Sequence, residues 1–136
     1  MREILFRGKR KDNDKWAYGF YALFASNKGL KHGIHTGAEN GCVIPYEVDP
    51  ETVGQFTGLT DKNGKKIFEG DIVKGDLGLG YGDNENHIAY IEYQEDGMSF
   101  CLVEILEEDF GKCAEISDDL EVIGNIHDNP ELLEEL

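Results

Sequence analysis

The chain has 136 residues, 40% of them hydrophobic, and a formal net charge of −15; it is the size of one domain and has enough apolar content for a core without metal or disulfide support. No apolar run reaches the roughly 18 residues of a membrane span, and the opening Met-Arg-Glu-Ile-Leu-Phe-Arg-Gly-Lys-Arg lacks the apolar stretch of a signal peptide, which predicts a soluble, cytosolic protein. Residues 1–16 carry six Lys or Arg against three acids and residues 104–136 carry twelve Asp or Glu against Lys112 alone; such a tail repels phosphate and disfavours an ordinary nucleic-acid-binding role for the molecule as a whole.

In chain order, residues 3–7 and 16–24 read as two strands joined by the polar turn at 11–15. Trp16, Tyr18 and Phe20 alternate along the second of these, with Phe24 continuing the row. Alternation of this kind usually marks a buried face, and on a small barrel it also serves as a partner surface. Residues 25–41 shift to Ser, Asn, Gly, Lys and His and read as a long loop. Residues 42–48 return to β-prone types, and Asp49-Pro50-Glu51-Thr52 punctuates them, which places a boundary near 49–54. The division expected is an N-terminal β-hairpin region over 1–50 and a second β-rich region over 51–136.

Residues 55–73 are the sharpest signal. Asn63-Gly64, the pair most at ease with positive φ, separates two β-prone runs and predicts a hairpin, and Gly70-Asp71 bends the chain before Ile72-Val73. Residues 75–86 are rich in Gly and Asp and read as a loop, followed by strands over 87–93 and 98–105 across a turn ending in Asp96-Gly97. Residues 107–119 are acidic and without a clear period, and residues 120–126 return to strand. At the end, Asn129 suits a helix N-cap and Pro130 the first helical position, predicting a short helical turn through Leu136.

Chemistry is harder to find. His32-x-x-His35 with Cys42 lacks the four paired ligands of a structural zinc site, and the glycines of 75–82 lack both phosphate-cradle spacings. Glu69 and Asp71 sit close enough to work as an acid and base or to hold a cation, but a carboxylate at a bend more commonly accepts backbone N–H groups, which is the role expected of Asp71. Cys42, Cys101 and Cys113 are odd in number and widely spaced, as expected of free thiols. No catalytic, metal-binding or cofactor-binding residue is assigned.

The stretch Phe56-Thr57-Gly58-Leu59-x-Asp61-x-Asn63-Gly64-x-x-Ile67-x-Glu69-Gly70-Asp71-Ile72-Val73 resembles the YopX family of phage and prophage proteins, as do Arg2-Glu3-Ile4-Leu5-Phe6-Arg7-Gly8, Trp16-x-Tyr18-Gly19 and the closing Val122-Ile123-Gly124-Asn125-Ile126-x-x-Asn129-Pro130-Glu131-Leu132. The resemblance implies a mainly β chain with an SH3-type barrel in its C-terminal part and a phage origin; it implies no activity. Asn63, Gly64, Gly70 and Asp71 are then structural motif residues, and Trp16, Tyr18 and Phe20 a candidate partner surface. Three functions are open: a non-enzymatic accessory protein that binds a protein partner and self-associates, an acidic decoy that imitates nucleic acid toward a host protein, and an enzyme with a site built from loops 25–41 and 75–86. No direct nucleic-acid binding and no membrane association are expected.

Overall fold

The structure, a computed structural model, describes residues 3–36, 45–75, 87–94, 99–104 and 120–133. The chain forms two compact units, Met1–Phe56 and Thr57–Leu136, and both are built from antiparallel strands.

The first unit contains β1 (Phe6–Lys9), β2 (Trp16–Ser26), β3 (Gly29–His35), β4 (Tyr46–Glu47) and the start of β5 (Gly54–Thr60), in the sheet order β4-β3-β2-β1-β5. The β1–β2 turn closes because Asp14 adopts φ 58° and the Asn13 side chain accepts from the Lys15 amide at 3.0 Å. Within the stretch 25–41 that composition reads as a loop, the described part is instead largely strand: β2 runs on to Ser26 and β3 occupies Gly29–His35, while residues 37–41 lie outside the described residues. Seven β2–β3 pairs, from Phe20↔His35 to Ser26↔Gly29, override the weak β-propensity of this stretch. The turn between them uses Gly29 at φ 105°, with the Ser26 hydroxyl donating to the Gly29 carbonyl. The inner face of the sheet forms the core, where Ala17, Ile34 and Val48 are buried with Phe6, Tyr21 and Val53 packed against them.

The Asp49-Pro50 signal makes a 3-10 turn over Pro50–Thr52, capped by the Asp49 carboxylate. It does not end the first unit. Thr52 Oγ1 accepts from the Lys9 amide at 2.8 Å, and β5 pairs with β1 (Phe6↔Gln55, Arg7↔Gly54), so the turn is held inside that unit. The division falls at Phe56/Thr57, within β5, rather than near 49–54.

The second unit pairs the rest of β5 with β6 (Lys66–Phe68) and arranges β7 (Asp71–Gly75), β8 (His87–Gln94), β9 (Ser99–Glu104) and β10 (Glu121–Asn125) as a four-stranded sheet in the order β10-β7-β8-β9. Its core holds Ile67, Val73, Ala89, Ile91 and Leu120, with Phe100 and Val122 against it. Among the described residues this sheet is open, so the mainly β antiparallel reading holds and the described strands do not close into a barrel. The acidic stretch 107–119, the turn at 95–98 and nearly all of the Gly-rich stretch 75–86 lie outside the described residues.

After β10 the chain makes a 3-10 turn over Pro130–Leu133. Asn129 does not cap it as expected: its side-chain oxygen turns back to accept from the Asn125 amide at 3.3 Å, and the Leu132 amide reaches the Asn129 main-chain carbonyl instead. Asn125 itself is buried, accepting from the His127 and Asp128 amides and donating to the Asp128 carboxylate. Gly124 leaves the room this requires, since a Cβ there would lie 2.6 Å from Asn129 Oδ1.

Candidate functional site

Side chains on a strand alternate between faces, so Trp16, Tyr18 and Phe20 share one face of β2 while Ala17, Gly19 and Tyr21 take the other. The core uses the second set. Tyr18 and Phe20 are therefore not core: they are 47% and 66% exposed. Gly19 allows this by its lack of a side chain, because a Cβ there would sit 1.9 Å from the His35 carbonyl oxygen. The row is partly covered at both ends. Trp16 is half-buried with the guanidinium of the buried Arg7 4.6 Å from its ring centroid, a cation–π arrangement, and Phe24 lies over Gly33.

Register sets basic and imidazole side chains on the same face. Lys9 pairs with Trp16, Arg7 with Tyr18, His35 with Phe20 and Lys31 with Phe24. Lys31 donates to the Glu47 carboxylate at 3.0 Å, and the Lys11 ammonium lies 3.5 Å from the same group. The hydrogen bond from Lys31 holds the Glu47 carboxyl below its ordinary range, overcoming the opposing effect of burial, and the two positive charges assist. On the other side of the sheet, the Arg10 guanidinium lies 3.8 Å from the Tyr46 ring centroid and bonds Asp12 through Nε at 2.9 Å.

The histidines do not meet. His32 and His35, three residues apart on β3, point to opposite faces; His32 stacks on Tyr21 and shares a hydrogen bond with its hydroxyl, while His35 lies across from Phe20. Cys42, like Cys113, lies outside the described residues. No cluster of three or more His, Cys, Asp or Glu suited to a metal ion occurs among the described residues.

The four motif residues serve the backbone of the second unit. Gly64 adopts φ 82° and Gly70 φ 90°, whereas Asn63 keeps negative φ, so the turn is not the doubly left-handed one that Asn-Gly suggests. Asp71 is 1% exposed and accepts from the Phe68 amide at 2.7 Å, the role expected of it. The organising residue is Asp61, which the motif contains but sequence reasoning left without a role. One of its oxygens accepts from the Asn63 and Lys65 amides at 2.9 Å each, and the other from the Val122 amide of β10 at 3.0 Å. Burial alone would raise its carboxyl, but those three donors, with the Lys65 charge, bring it below the ordinary 3.8. Its signal in the sequence is an Asp two residues before Asn-Gly, the placement of an Asx-turn.

No helix among the described residues is long and apolar enough to cross a membrane. No curated protein matches the chain. The structure is similar to the crystal structure of protein EF1440 from Enterococcus faecalis, with a TM-score of 0.50 and 25% identity over 98% of this chain and 99% of that one. The family described as YopX protein matches residues 5–134. With nearly the whole length matched and the turn of residues 61–71 accounting for the motif's glycines and aspartates, the chain belongs to the YopX family.

Proposed function

We propose that this protein is a non-enzymatic, cytoplasmic phage or prophage accessory protein that binds a protein partner and self-associates, with the outer face of β2 as its binding surface. The observation that carries this reading is the exposure of Tyr18 and Phe20 side by side on a strand whose opposite face is core. Aromatic side chains held on a rigid strand bring large contact areas at little cost in conformational entropy, and such residues dominate the centres of protein interfaces. An SH3-type arrangement of the second unit is part of the same reading, supported by its succession of short antiparallel strands.

The test compares the wild type with Phe20→Asp as baits in a bacterial lysate, then measures the affinity of the identified, purified protein for each. Binding weakened at least tenfold by the substitution, with the same thermal midpoint for both chains, is the expected result. Equal affinity for both would remove the proposal.

One observation favours a second reading, the acidic decoy: residues 57–136 hold twenty-one Asp or Glu against five Lys or Arg. It predicts that the retained proteins bind nucleic acid and are released by added DNA, whereas partners indifferent to DNA would rule it out.

A further inference from the structure

We infer that Asn63 is a deamidation site governed by the fold: the Gly64 nitrogen attacks its side-chain carbonyl once the turn opens, and Asp61 keeps the turn closed while it is clasped to β10. The inference is independent of the β2 face and of what binds there.

The reaction needs only these two residues and water. The Gly64 main-chain nitrogen gives up its proton and bonds to the Asn63 side-chain carbonyl carbon, the bond from that carbon to the amide nitrogen breaks, and ammonia leaves. Water then opens the cyclic imide at either carbonyl, giving aspartate or isoaspartate, with no oxidant or reductant involved. Glycine obstructs the attack least, having no side chain beside the attacking nitrogen, and a Cβ at Gly64 would meet nothing within 4 Å. Asn63 and Gly64 are both exposed, so water reaches them. Neither crowding nor burial protects the pair.

What restrains it is hydrogen bonding to a single residue. The Asn63 and Lys65 amides donate to Asp61 Oδ1 at 2.9 Å each, and the Gly64 amide, the attacking group, donates to the Asp61 main-chain carbonyl at 3.0 Å. The proton that must leave is thus engaged, and the nearby carboxylate opposes the negative charge its loss creates. Asp61 is itself fixed from outside the turn. Its Oδ2 accepts from the Val122 amide of β10 at 3.0 Å, and the neighbouring Lys62 amide donates to the Leu120 carbonyl at 2.9 Å. Swinging the Gly64 nitrogen onto the Asn63 side chain breaks this set, so cyclisation runs from the locally opened turn. The product cannot close again in the same way. Isoaspartate adds an atom to the main chain between the amides of residues 63 and 64, and either product sets a second carboxylate beside Asp61. Modification therefore records an opening of the turn and loosens its hold on β10 afterwards.

The experiment is peptide mapping of the full chain during incubation at neutral pH. It resolves the parent, aspartate and isoaspartate forms at position 63 and keeps them apart from Asn40-Gly41, the other Asn-Gly pair of the sequence. Folded wild type, wild type in urea, Asp61→Ala and Asp61→Asn are compared, with exchange of the Gly64 and Val122 amides followed by NMR. Expected is a rate at residue 63 at least tenfold lower in the folded wild type than in urea, and at least tenfold higher in Asp61→Ala than in the wild type under folding conditions. The wild-type rate should climb in step with Gly64 amide exchange through sub-denaturing urea, and the purified isoaspartate form should exchange its Val122 amide at least tenfold faster than the parent. Equal rates in folded and unfolded wild type overturn the inference, as does the absence of reaction at residue 63 in urea. A folded Asp61→Ala that reacts no faster also overturns it. Should Asp61→Ala fail to fold, Asp61→Asn and the wild-type urea series decide: a rate unchanged in the first, or one that does not follow Gly64 exchange in the second, overturns it. A Val122 amide that exchanges equally in parent and product removes the loosening of β10.

Discussion

Asp61 converts a loop into a brace. Its carboxylate satisfies two amides in its own turn and one in β10, sixty-one positions further along the chain. Removing a buried acceptor leaves those amides unpaired, so Asp61→Ala should cost about 3 kcal/mol of unfolding free energy in urea titrations. The carboxyl lies below 3.8 when folded, so its contribution is present above that pH and is lost as pH falls through the folded value. Wild-type stability should therefore drop more steeply than that of Asp61→Asn as pH falls below 3.8. Two glycines make a second comparison. Gly64 has open space around it and φ 82°, so Gly64→Ala meets only a backbone penalty of about 1 kcal/mol. Gly19→Ala drives a methyl into the His35 carbonyl, and the resulting separation of β2 from β3 should show as a far larger loss in the same titration. The need for glycine at 64 is legible beside Asn63, but that at 19 is not, because the atom it must avoid lies sixteen positions away.

At the scale of elements, local chemistry was legible where a turn fixes its own neighbours. The β5–β6 and β6–β7 turns follow from Asn63-Gly64 and Gly70-Asp71, and the β1–β2 turn follows from the polar run at 11–15. β3 was hidden because Gly29, Lys31, His32 and Gly33 have little strand propensity of their own and gain their pairing from β2. The inward and outward faces of β2 were inverted for a related reason: aromatic size suggests burial, but the small residues Ala17 and Gly19 fit the close-packed side. The candidate surface was thus legible as a set of residues, and its exposure was not. The chain's close offers a test of an element held by one side chain. Asn125→Ala removes two acceptor bonds and one donor bond at the Asn125–Asn129 turn and should cost about 2 kcal/mol in thermal or urea unfolding.

For the whole molecule, the surplus of acid in residues 57–136 sets behaviour that no single contact controls. Repulsion among molecules opposes non-specific aggregation at neutral pH, and this fades as carboxylates protonate near the isoelectric point of about 4.5. Turbidity should pass through a maximum near that pH and fall again on further acidification, a profile read directly by light scattering at fixed protein concentration. The overall sign of charge was plain from composition; its division between two units needed the boundary at Phe56/Thr57. That boundary lies inside β5, with Gly54–Phe56 on one side and residues 57–60 on the other. A gene cut there would split one strand between two fragments, leaving the first with an edge three residues long and the second with a frayed end. Expression of either half on its own should extend through Thr60 or begin at Gly54, and the duplicated strand, rather than a spliced linker, is the natural joint for swapping these units between proteins.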